Sequence, residues 1–172
     1  MRIFIGLDIP EDIKESIHQY LHHLQKTPKG WESPHDYHQT LLFIGSVKED
    51  EAQEIKTRLQ SVHFEPFELE LTGVEFFSRR VMYLSLAPSK ELLALKDRIE
   101  NLFPEWLRPD RKAFIPHVTV KRWQRYEYDE LKSGLNQRPF KRYKFKVNKI
   151  ELFESKKDDN NHKYHVILSV AA

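Results

Sequence analysis

The chain has 172 residues, of which 40% are hydrophobic and 31% charged, a composition ordinary for a soluble globular protein and sufficient for one domain with a sizeable core. It contains no cysteine, which excludes disulfide frameworks, thiolate metal sites and cysteine nucleophiles. No apolar run approaches the length of a membrane span, and the N-terminus shows an amphipathic pattern rather than a signal peptide. We therefore expect a cytoplasmic protein.

Positive charge is concentrated in one part of the sequence. Between Trp106 and Lys149 there are 13 Lys and Arg residues against 4 acidic residues, a local excess of +9 in a chain whose net charge is +2. Such asymmetry is expected where one region faces a polyanion. A solvated basic face is the simpler explanation, and the charge alone does not decide between the two.

The first half of the chain predicts strands and helices in alternation. The apolar start of the sequence is typical of a strand, and Asp8 and Pro10 are typical of the start of a helix. The predicted elements are a strand over Met1–Leu7, a helix from Pro10 to the stretch Thr27–Gly30, a strand over His38–Gly45, a helix over Ala52–Val62, and strands over Phe64–Phe77 and Val81–Leu86.

The second half predicts the same order of elements. They are a helix over Leu92–Leu102 after Pro88-Ser89, a strand over Phe114–Arg122, a short helix over Tyr128–Leu135, and strands near Phe140–Phe153 and Tyr164–Val170 joined by the polar loop Lys156–His162. His38 and His117 lie 79 residues apart, and the same shift lays Phe4–Leu7 on Tyr83–Leu86. We therefore predict a duplication, with two intertwined lobes related by a pseudo-two-fold axis.

Two short segments share the pattern His, any residue, Thr, aliphatic residue. They are His38-Gln39-Thr40-Leu41 and His117-Val118-Thr119-Val120. The chain holds 9 His and only 5 Thr, so two such segments at equivalent places of a repeat are rare by chance. Side chains at i and i+2 of a strand project from the same face, so each His shares a face with its Thr. If the two strands lie side by side, two imidazoles and two hydroxyls face one cleft.

That arrangement suits in-line attack on a cyclic phosphodiester. One group must take a proton from the attacking water, and another must give a proton to the departing ribose oxygen. Histidine can do either near neutral pH, and the Thr hydroxyls can donate to the phosphate oxygens. Nothing in this scheme requires a metal ion.

A cation beside the cleft would neutralise the phosphate. Strict alternation from His117 and Thr119 puts Lys121 on the cleft face and Arg122 behind it. A strand end or a bulge would reverse that order, so both cations remain candidates.

The paired motifs resemble the signature of the two-histidine (2H) phosphoesterase superfamily. Further stretches resemble its RNA 2',3'-cyclic phosphodiesterase branch, also called the 2'-5' RNA ligase family. These stretches are Arg2–Pro10 (RIFIGLDIP), Trp31 seven residues before the first motif, His38–Gly45 (HQTLLFIG), Phe114–Arg122 (FIPHVTVKR) and Val147–Ser155 (VNKIELFES). The resemblance thus touches nearly the full chain.

The resemblance implies a bilobal fold with a cleft between the lobes. Together with the repeat, it leads us to expect a single domain over residues 1–172 with an α+β fold, in which two antiparallel-rich sheets face a central cleft and helices lie outside. The catalytic residues that it implies are His38, His117, Thr40 and Thr119, and the substrate-contacting residues are Phe43 and Arg122. Both of the latter lie five residues beyond their histidines, which favours Arg122 over Lys121 despite simple alternation.

The implied reaction is hydrolysis of a 2',3'-cyclic phosphate at an RNA end to a 2'-phosphate, without cofactor or metal. The expected partner is therefore RNA with such an end or a related cyclic nucleotide, and we expect a monomer. The symmetric pair does not decide which histidine is the acid, although we favour His38 as the acid and His117 as the base.

Other functions stay open on the sequence. The substrate could be a small cyclic phosphate, the reverse reaction could join RNA ends through a 2'-5' bond, and a non-catalytic RNA-end binding module would fit the charge equally well. The loop Asp158–His162 lacks the Gly often seen in the family before the late Tyr, which puts substrate choice in doubt.

A few further residues have alternative interpretations. His18 and His22 have metal-ligand spacing on the first helix, but no third ligand is evident. The aromatic residues expected in the core or between the lobes are Phe76, Phe77, Trp106 and Trp123. Trp123 and Tyr126, close to Arg122 and Arg125, are the candidates for stacking on single-stranded RNA.

Overall fold

The computed structural model describes residues 1–24, 30–109, 113–123, 127–156 and 163–172. The strands are β1 (Arg2–Asp8), β2 (His38–Ser46), β3 (Phe67–Phe77), β4 (Val81–Leu86), β5 (His117–Arg122), β6 (Tyr143–Val147), β7 (Lys149–Ser155) and β8 (Tyr164–Ala171). The helices are α1 (Glu11–His22), α2 (Glu49–Leu59), α3 (Lys90–Leu102) and α4 (Tyr128–Gln137), with short 3-10 helices at Pro34–Asp36 and Pro104–Trp106. Helix α1 ends before the predicted stop at Thr27–Gly30, most of which lies outside the described residues.

All eight strands join in one antiparallel sheet, in the order β6-β3-β4-β5-β2-β1-β7-β8. The α+β class and the antiparallel pairing are confirmed. The two predicted sheets are the two halves of this sheet, β6-β3-β4-β5 and β2-β1-β7-β8, because β2 and β5 pair at the centre. The motif strands therefore lie side by side where the halves meet.

The strand order is symmetric about the β2–β5 junction. A shift of 79 residues carries β1 onto β4, α1 onto α3, β2 onto β5, α2 onto α4 and β3 onto β7. Read outwards from the junction, β2-β1-β7 in one half thus corresponds to β5-β4-β3 in the other. A duplication requires this symmetry, and the duplication itself stays a prediction.

The helices form where apolar residues recur at helical spacing. In α3 the Ser89 hydroxyl accepts a hydrogen bond from the Leu92 amide at 3.1 Å and so caps the first turn. Leu92, Leu95 and Ile99 are buried on one side of this helix and belong to the main hydrophobic core. Within the described ranges no helix is long and apolar enough to cross a membrane.

One predicted strand was wrong in its extent. The stretch Phe140–Phe153 contains two strands, since β6 pairs with β3 at one edge of the sheet whereas β7 pairs with β1 and β8 in the other half. Asn148, which separates them, accepts a hydrogen bond from the Ala172 amide at 2.9 Å. The alternation of polar and apolar residues changes phase here, because the polar residues Asn148 and Lys149 are consecutive, and this was the available sign in the sequence of a break between two strands.

The basic stretch of the sequence is divided in space. Strand β6 and the residue before it carry part of the excess, and there Arg142 lies 3.5 Å from Glu70 and Lys144 lies 3.4 Å from Glu68. Both acids belong to the neighbouring strand β3. This part of the basic excess is therefore balanced by local ion pairs at the sheet edge, far along the sheet from the β2–β5 junction.

Candidate functional site

The two motifs meet at the centre of the sheet. Gln39 lies opposite Val118 in the antiparallel pairing of β2 with β5. One residue to either side, this register puts His38 opposite Thr119 and Thr40 opposite His117. Directly opposed side chains on one face of an antiparallel pair have Cβ atoms about 4.5–5.5 Å apart, and diagonal pairs about 7–8 Å. The two imidazoles thus occupy one diagonal of a square and the two hydroxyls occupy the other.

A β-bulge follows each motif at the same place. In the β1–β2 register, Gly6 pairs with Thr40 and Ile5 with Leu42, so Leu41 is the extra residue. In the β4–β5 register, Tyr83 pairs with Thr119 and Met82 with Lys121, so Val120 is the extra residue. A bulge shifts the alternation of side chains by one. The fifth residue after each histidine therefore returns to the face that carries the histidines.

The cleft on this face agrees with that geometry. It has a volume of about 220 Å³ and is lined by Arg2, Phe4, Glu32, Asp36, His38, Thr40, Phe43, His117, Thr119, Arg122, Ser155 and Tyr164. Six of the seven residues proposed from the sequence are in this set. The exception is Lys121, which is fully buried behind the cleft, 3.4 Å from Glu127 and over the ring of Trp31. Because of the bulge at Val120, Arg122 and not Lys121 faces the cleft.

His38 is fixed by its own strand and by aromatic rings. Its Nδ1 donates to the backbone oxygen of Asp36 at 2.7 Å, and its Nε2 lies 3.1 Å from the Thr40 hydroxyl. Phe4 and Tyr164 pack against the imidazole, with ring centroids 4.6 and 4.8 Å away. A carbonyl oxygen only accepts, so Nδ1 carries the proton and Nε2 of the neutral ring is the basic nitrogen beside Thr40.

His117 has the same kind of support from the other half of the sheet. Its Nδ1 donates to the backbone oxygen of Ile115 at 2.7 Å. Phe77 packs edge-on against it at 5.0 Å, and Tyr83 lies 5.6 Å away. Each imidazole is thus held by the carbonyl two residues earlier, with Nε2 as the basic nitrogen of the neutral ring.

Both histidines are neutral at pH 7 when no anion lies beside them. Burial lowers the pKa of His38 to about 4, and the positive charges of Arg122 and a protonated His117 act in the same direction. Burial also lowers the pKa of His117, again with a contribution from Arg122. The hydrogen bonds to Asp36 and Ile115 oppose these shifts without cancelling them. An anion in the cleft would favour the protonated form of either ring.

Arg122 is oriented by a buried acid. The segment before the first motif pairs with β5 beyond the junction, where the Arg122 amide donates to Gly30 at 2.9 Å. Gly30 has φ of 83°, and a side chain there would collide with the Arg122 carbonyl, so the close approach requires glycine. Glu32, 6% exposed, then accepts from Arg122 at 3.2 Å and from the Lys163 ammonium.

The buried side chain of Asp36 ties the 3-10 helix before β2 to the start of β8. One carboxylate oxygen accepts from the backbone amides of Lys163 and Tyr164 at 3.0 and 3.2 Å. Burial raises the pKa of Asp36 despite these bonds. The contact places Tyr164 against His38, on the side of the cleft away from β5.

Gln39 holds the two motif strands together. It is fully buried, its Oε1 accepts from the His117 amide at 2.6 Å, and its Nε2 donates to the Thr40 carbonyl at 2.6 Å. In the sequence, Gln39 is a polar residue among motif positions that otherwise carry aliphatic side chains and point away from the histidines, towards the core. That mismatch was the available signal, since a buried amide must find partners. Glu32 and Asp36 gave no comparable signal in the sequence.

Several other candidates lie away from the cleft. The rings of His18 and His22 are 5.5 Å apart, and across the described ranges no group of three or more His, Asp or Glu could hold a metal ion. Trp123 packs against Phe76 at 5.9 Å, as expected for a residue between elements. The predicted residues Arg125, Tyr126 and Asp158–His162 lie outside the described residues.

Sequence comparisons relate the chain to known proteins. A family model described as the 2'-5' RNA ligase superfamily matches residues 9–159. The RNA 2',3'-cyclic phosphodiesterase of Archaeoglobus fulgidus is 35% identical over 132 residues, covering 73% of this chain and 74% of that protein. The protein of the same name from Methanocaldococcus jannaschii is 26% identical and covers 97% of this chain and 98% of its own length.

Solved structures share the fold. E. coli LigT, crystallised with 3'-AMP, superposes with a TM-score of 0.78 over 99% of this chain and 97% of its own length. Its identity to this chain is 19%, so the likeness shows the fold alone. The α+β fold predicted from the sequence is confirmed by this match.

Proposed function

This chain belongs to the 2'-5' RNA ligase superfamily, and we propose that it hydrolyses 2',3'-cyclic phosphates at RNA ends, leaving a 2'-phosphate. The observation that carries the proposal is the placement of His38 and His117 on one diagonal across the β2–β5 junction, in one cleft with Arg122. The names of the relatives agree with this reaction.

The diagonal suits an in-line displacement at phosphorus. With a cyclic phosphate between the imidazoles, one Nε2 takes a proton from water as the water oxygen bonds to phosphorus. The bond from phosphorus to the ribose 3'-oxygen breaks, and the other imidazolium gives its proton to that oxygen. One histidine gains a proton and the other loses one, so exchange with solvent restores the starting state. No metal ion is needed for these steps.

The other cleft residues stabilise the charge. Thr40 and Thr119 occupy the second diagonal, where their hydroxyls can donate to the non-bridging oxygens, and Arg122 supplies a fixed positive charge. We assign His38 as the acid and His117 as the base. Because burial lowers the pKa of His38 to about 4, this acid is protonated near neutral pH only when the anionic substrate lies beside it.

Phe43 borders the cleft beside these groups and offers an aromatic surface to the terminal nucleotide. By microscopic reversibility the same residues would join a 2',3'-cyclic end to a hydroxyl, which is the 2'-5' ligation named by the family. Monomeric state and cytoplasmic location remain predictions from the sequence.

The test is hydrolysis of a short RNA that ends in a 2',3'-cyclic phosphate, in excess chelator. We expect turnover by the wild type to a 2'-phosphate, and losses of at least about 10²-fold for both His38→Ala and His117→Ala, since each proton transfer contributes roughly 10² to 10⁴. His22→Ala, which changes an exposed histidine on α1, is the matched control and should retain full activity.

The two roles separate with an activated substrate. A phosphodiester with a nitrophenolate leaving group needs no acid, so His38→Ala should recover much of its rate and His117→Ala should not. No turnover of the cyclic RNA by folded wild-type protein would overturn the proposal and favour a smaller cyclic phosphate or an RNA-end binding role.

A further inference from the structure

Phe43 separates the catalytic cleft from a second cavity. That cavity has a volume of about 270 Å³, and its lining includes Leu42, Phe43, Glu100, Trp106, Leu107 and Arg108. Glu100 is engaged in an ion pair with Lys96 on the same helix. Since Phe43 lines both spaces, a chain that leaves the catalytic cleft across this ring enters the second cavity directly.

Two guanidinium groups flank the crossing point. The Arg2 guanidinium carbon lies 5.0 Å from the centre of the Phe43 ring, and that of Arg108 lies 5.5 Å from it. Both side chains are exposed, and among residues that the structure describes neither forms an ion pair with an acid. Their charge is therefore available to a phosphodiester at this rim of the cleft.

The opposite rim is electrostatically different. There Arg122 and Lys163 both contact the single buried carboxylate of Glu32. One acid between two cations reduces the attraction for a second phosphate at that rim. A polyanion whose terminal phosphate occupies the cleft is thus drawn towards Phe43 rather than towards Glu32.

We propose that the cavity beside Trp106 and Arg108 binds the nucleotide that precedes the cyclic end of an RNA strand. This inference rests on the proposed function and names its substrate class, which is oligonucleotides rather than mononucleotides. The phosphodiester between the last two nucleotides lies between Arg2 and Arg108, and the preceding base lies against the apolar and aromatic lining. Aromatic and guanidinium surfaces together suit single-stranded RNA without selecting a sequence.

The experiment compares a mononucleoside 2',3'-cyclic phosphate with a dinucleotide that ends in the same group. We expect the wild type to have a kcat/KM roughly tenfold or more higher for the dinucleotide, since one stacked base is typically sufficient for that factor. Arg108→Ala should remove most of this preference and leave the mononucleotide within about twofold. Arg98→Ala, which changes an exposed arginine of α3, should keep the preference.

Equal kcat/KM for the two substrates in the wild type, or an unchanged preference in Arg108→Ala, would overturn the inference.

If neither substrate is turned over, the proposed function fails, and a binding measurement tests the inference independently of turnover. The probes are then a dinucleotide and a mononucleotide that each carry an uncyclised 3'-phosphate. Tighter binding of the dinucleotide would support the inference if Arg108→Ala abolishes it and makes the salt slope shallower by about 0.7, as expected for one phosphate. Equal binding of both probes would overturn it.

Discussion

Strands β2 and β5 carry the same motif in the same backbone geometry, but on the cleft face they differ at the fifth residue after the histidine. Each histidine donates Nδ1–H to the carbonyl two residues before it, and each strand bulges three residues after it. The bulges bring the fifth residue back to the cleft, but that residue is Phe43 on β2 and Arg122 on β5. The two halves are therefore equivalent in how they hold the histidines and different in what they offer to substrate.

The difference extends to the surroundings of the two residues. Arg122 is fixed by the buried Glu32, whereas Phe43 lies beneath the guanidinium groups of Arg2 and Arg108. A symmetric scaffold thus holds an asymmetric pair of rims. One rim suits the reacting phosphate and the other suits the nucleotide chain attached to it.

The largest expected effect distinguishes Arg122 from Phe43, which are the fifth residues after the two histidines. Arg122→Ala removes a charge from the transition state and should lower kcat by about 10²-fold or more, with little change in KM. Phe43→Ala should mainly raise KM, with kcat within about threefold, because it removes ground-state contact. Steady-state kinetics on a cyclic-ended RNA checks both, with Arg80→Ala in the exposed β3–β4 turn as control. The same pattern of losses in both variants would contradict the division of roles.

Replacing Gln39 tests whether the hydrogen bonds that join the two halves of the sheet are needed for activity. Gln39→Met leaves the buried His117 amide and Thr40 carbonyl without the side-chain bonds they make now, and each unsatisfied group costs about 1–3 kcal/mol. We expect a lower Tm and, in protein that is still folded, a fall in kcat with KM nearly unchanged, since the two histidines lose their relative position. Thermal unfolding monitored by circular dichroism, followed by kinetics well below the Tm, measures both. A normal kcat at reduced Tm would limit Gln39 to stability.

The pH dependence reports the two histidines in their different states. The acid must be protonated and the base neutral, and in the free enzyme both pKa values lie below 6.5. The maximum of kcat/KM should therefore lie below about pH 6.5, and kcat/KM should fall as the pH rises and the acid loses its proton. The kcat profile should be displaced to higher pH, because the bound anion raises both pKa values. A kcat/KM maximum above pH 7 would exclude this protonation scheme.

The smallest expected effect comes from neutralising Glu32, which leaves Arg122 and Lys163 without an acid between them, as Arg2 and Arg108 are at the other rim among the residues that the structure describes. Glu32→Gln releases the charges of Arg122 and Lys163, so RNA should bind a few-fold more tightly. The salt dependence should steepen by about 0.7 in slope for each additional phosphate that these cations neutralise. The rate should fall slightly, since Arg122 is held less firmly. Titrations at several salt concentrations measure the slope, and an unchanged slope would mean that Glu32 does not set the charge of this rim.

Some features of the site followed directly from residue spacing. The i, i+2 relation of His and Thr predicted that each pair shares a face, and the repeat predicted that the two faces meet. Strict alternation along β5 does not predict correctly which of Lys121 and Arg122 faces the cleft. Simple alternation favours Lys121, but the bulge at Val120 turns Lys121 into the interior and Arg122 to the cleft. Bulges depend on pairing with the neighbouring strand, so no pattern within β5 alone specifies them.

Residue spacing in the sequence predicted the alternation of strands and helices, the two motif strands and the four motif residues of the cleft, His38, Thr40, His117 and Thr119, because local periodicity and a repeated motif are properties of neighbouring residues. Only the tertiary structure decided which cation faces the cleft, how Gln39 joins the halves, and how Glu32 and Asp36 border the site. The long-range hydrogen bonds of Gln39, Glu32 and Asp36 link residues from 78 to 131 positions apart. Which residues meet across such separations is set by strand order and by the pairing of the two halves, and no local pattern encodes it.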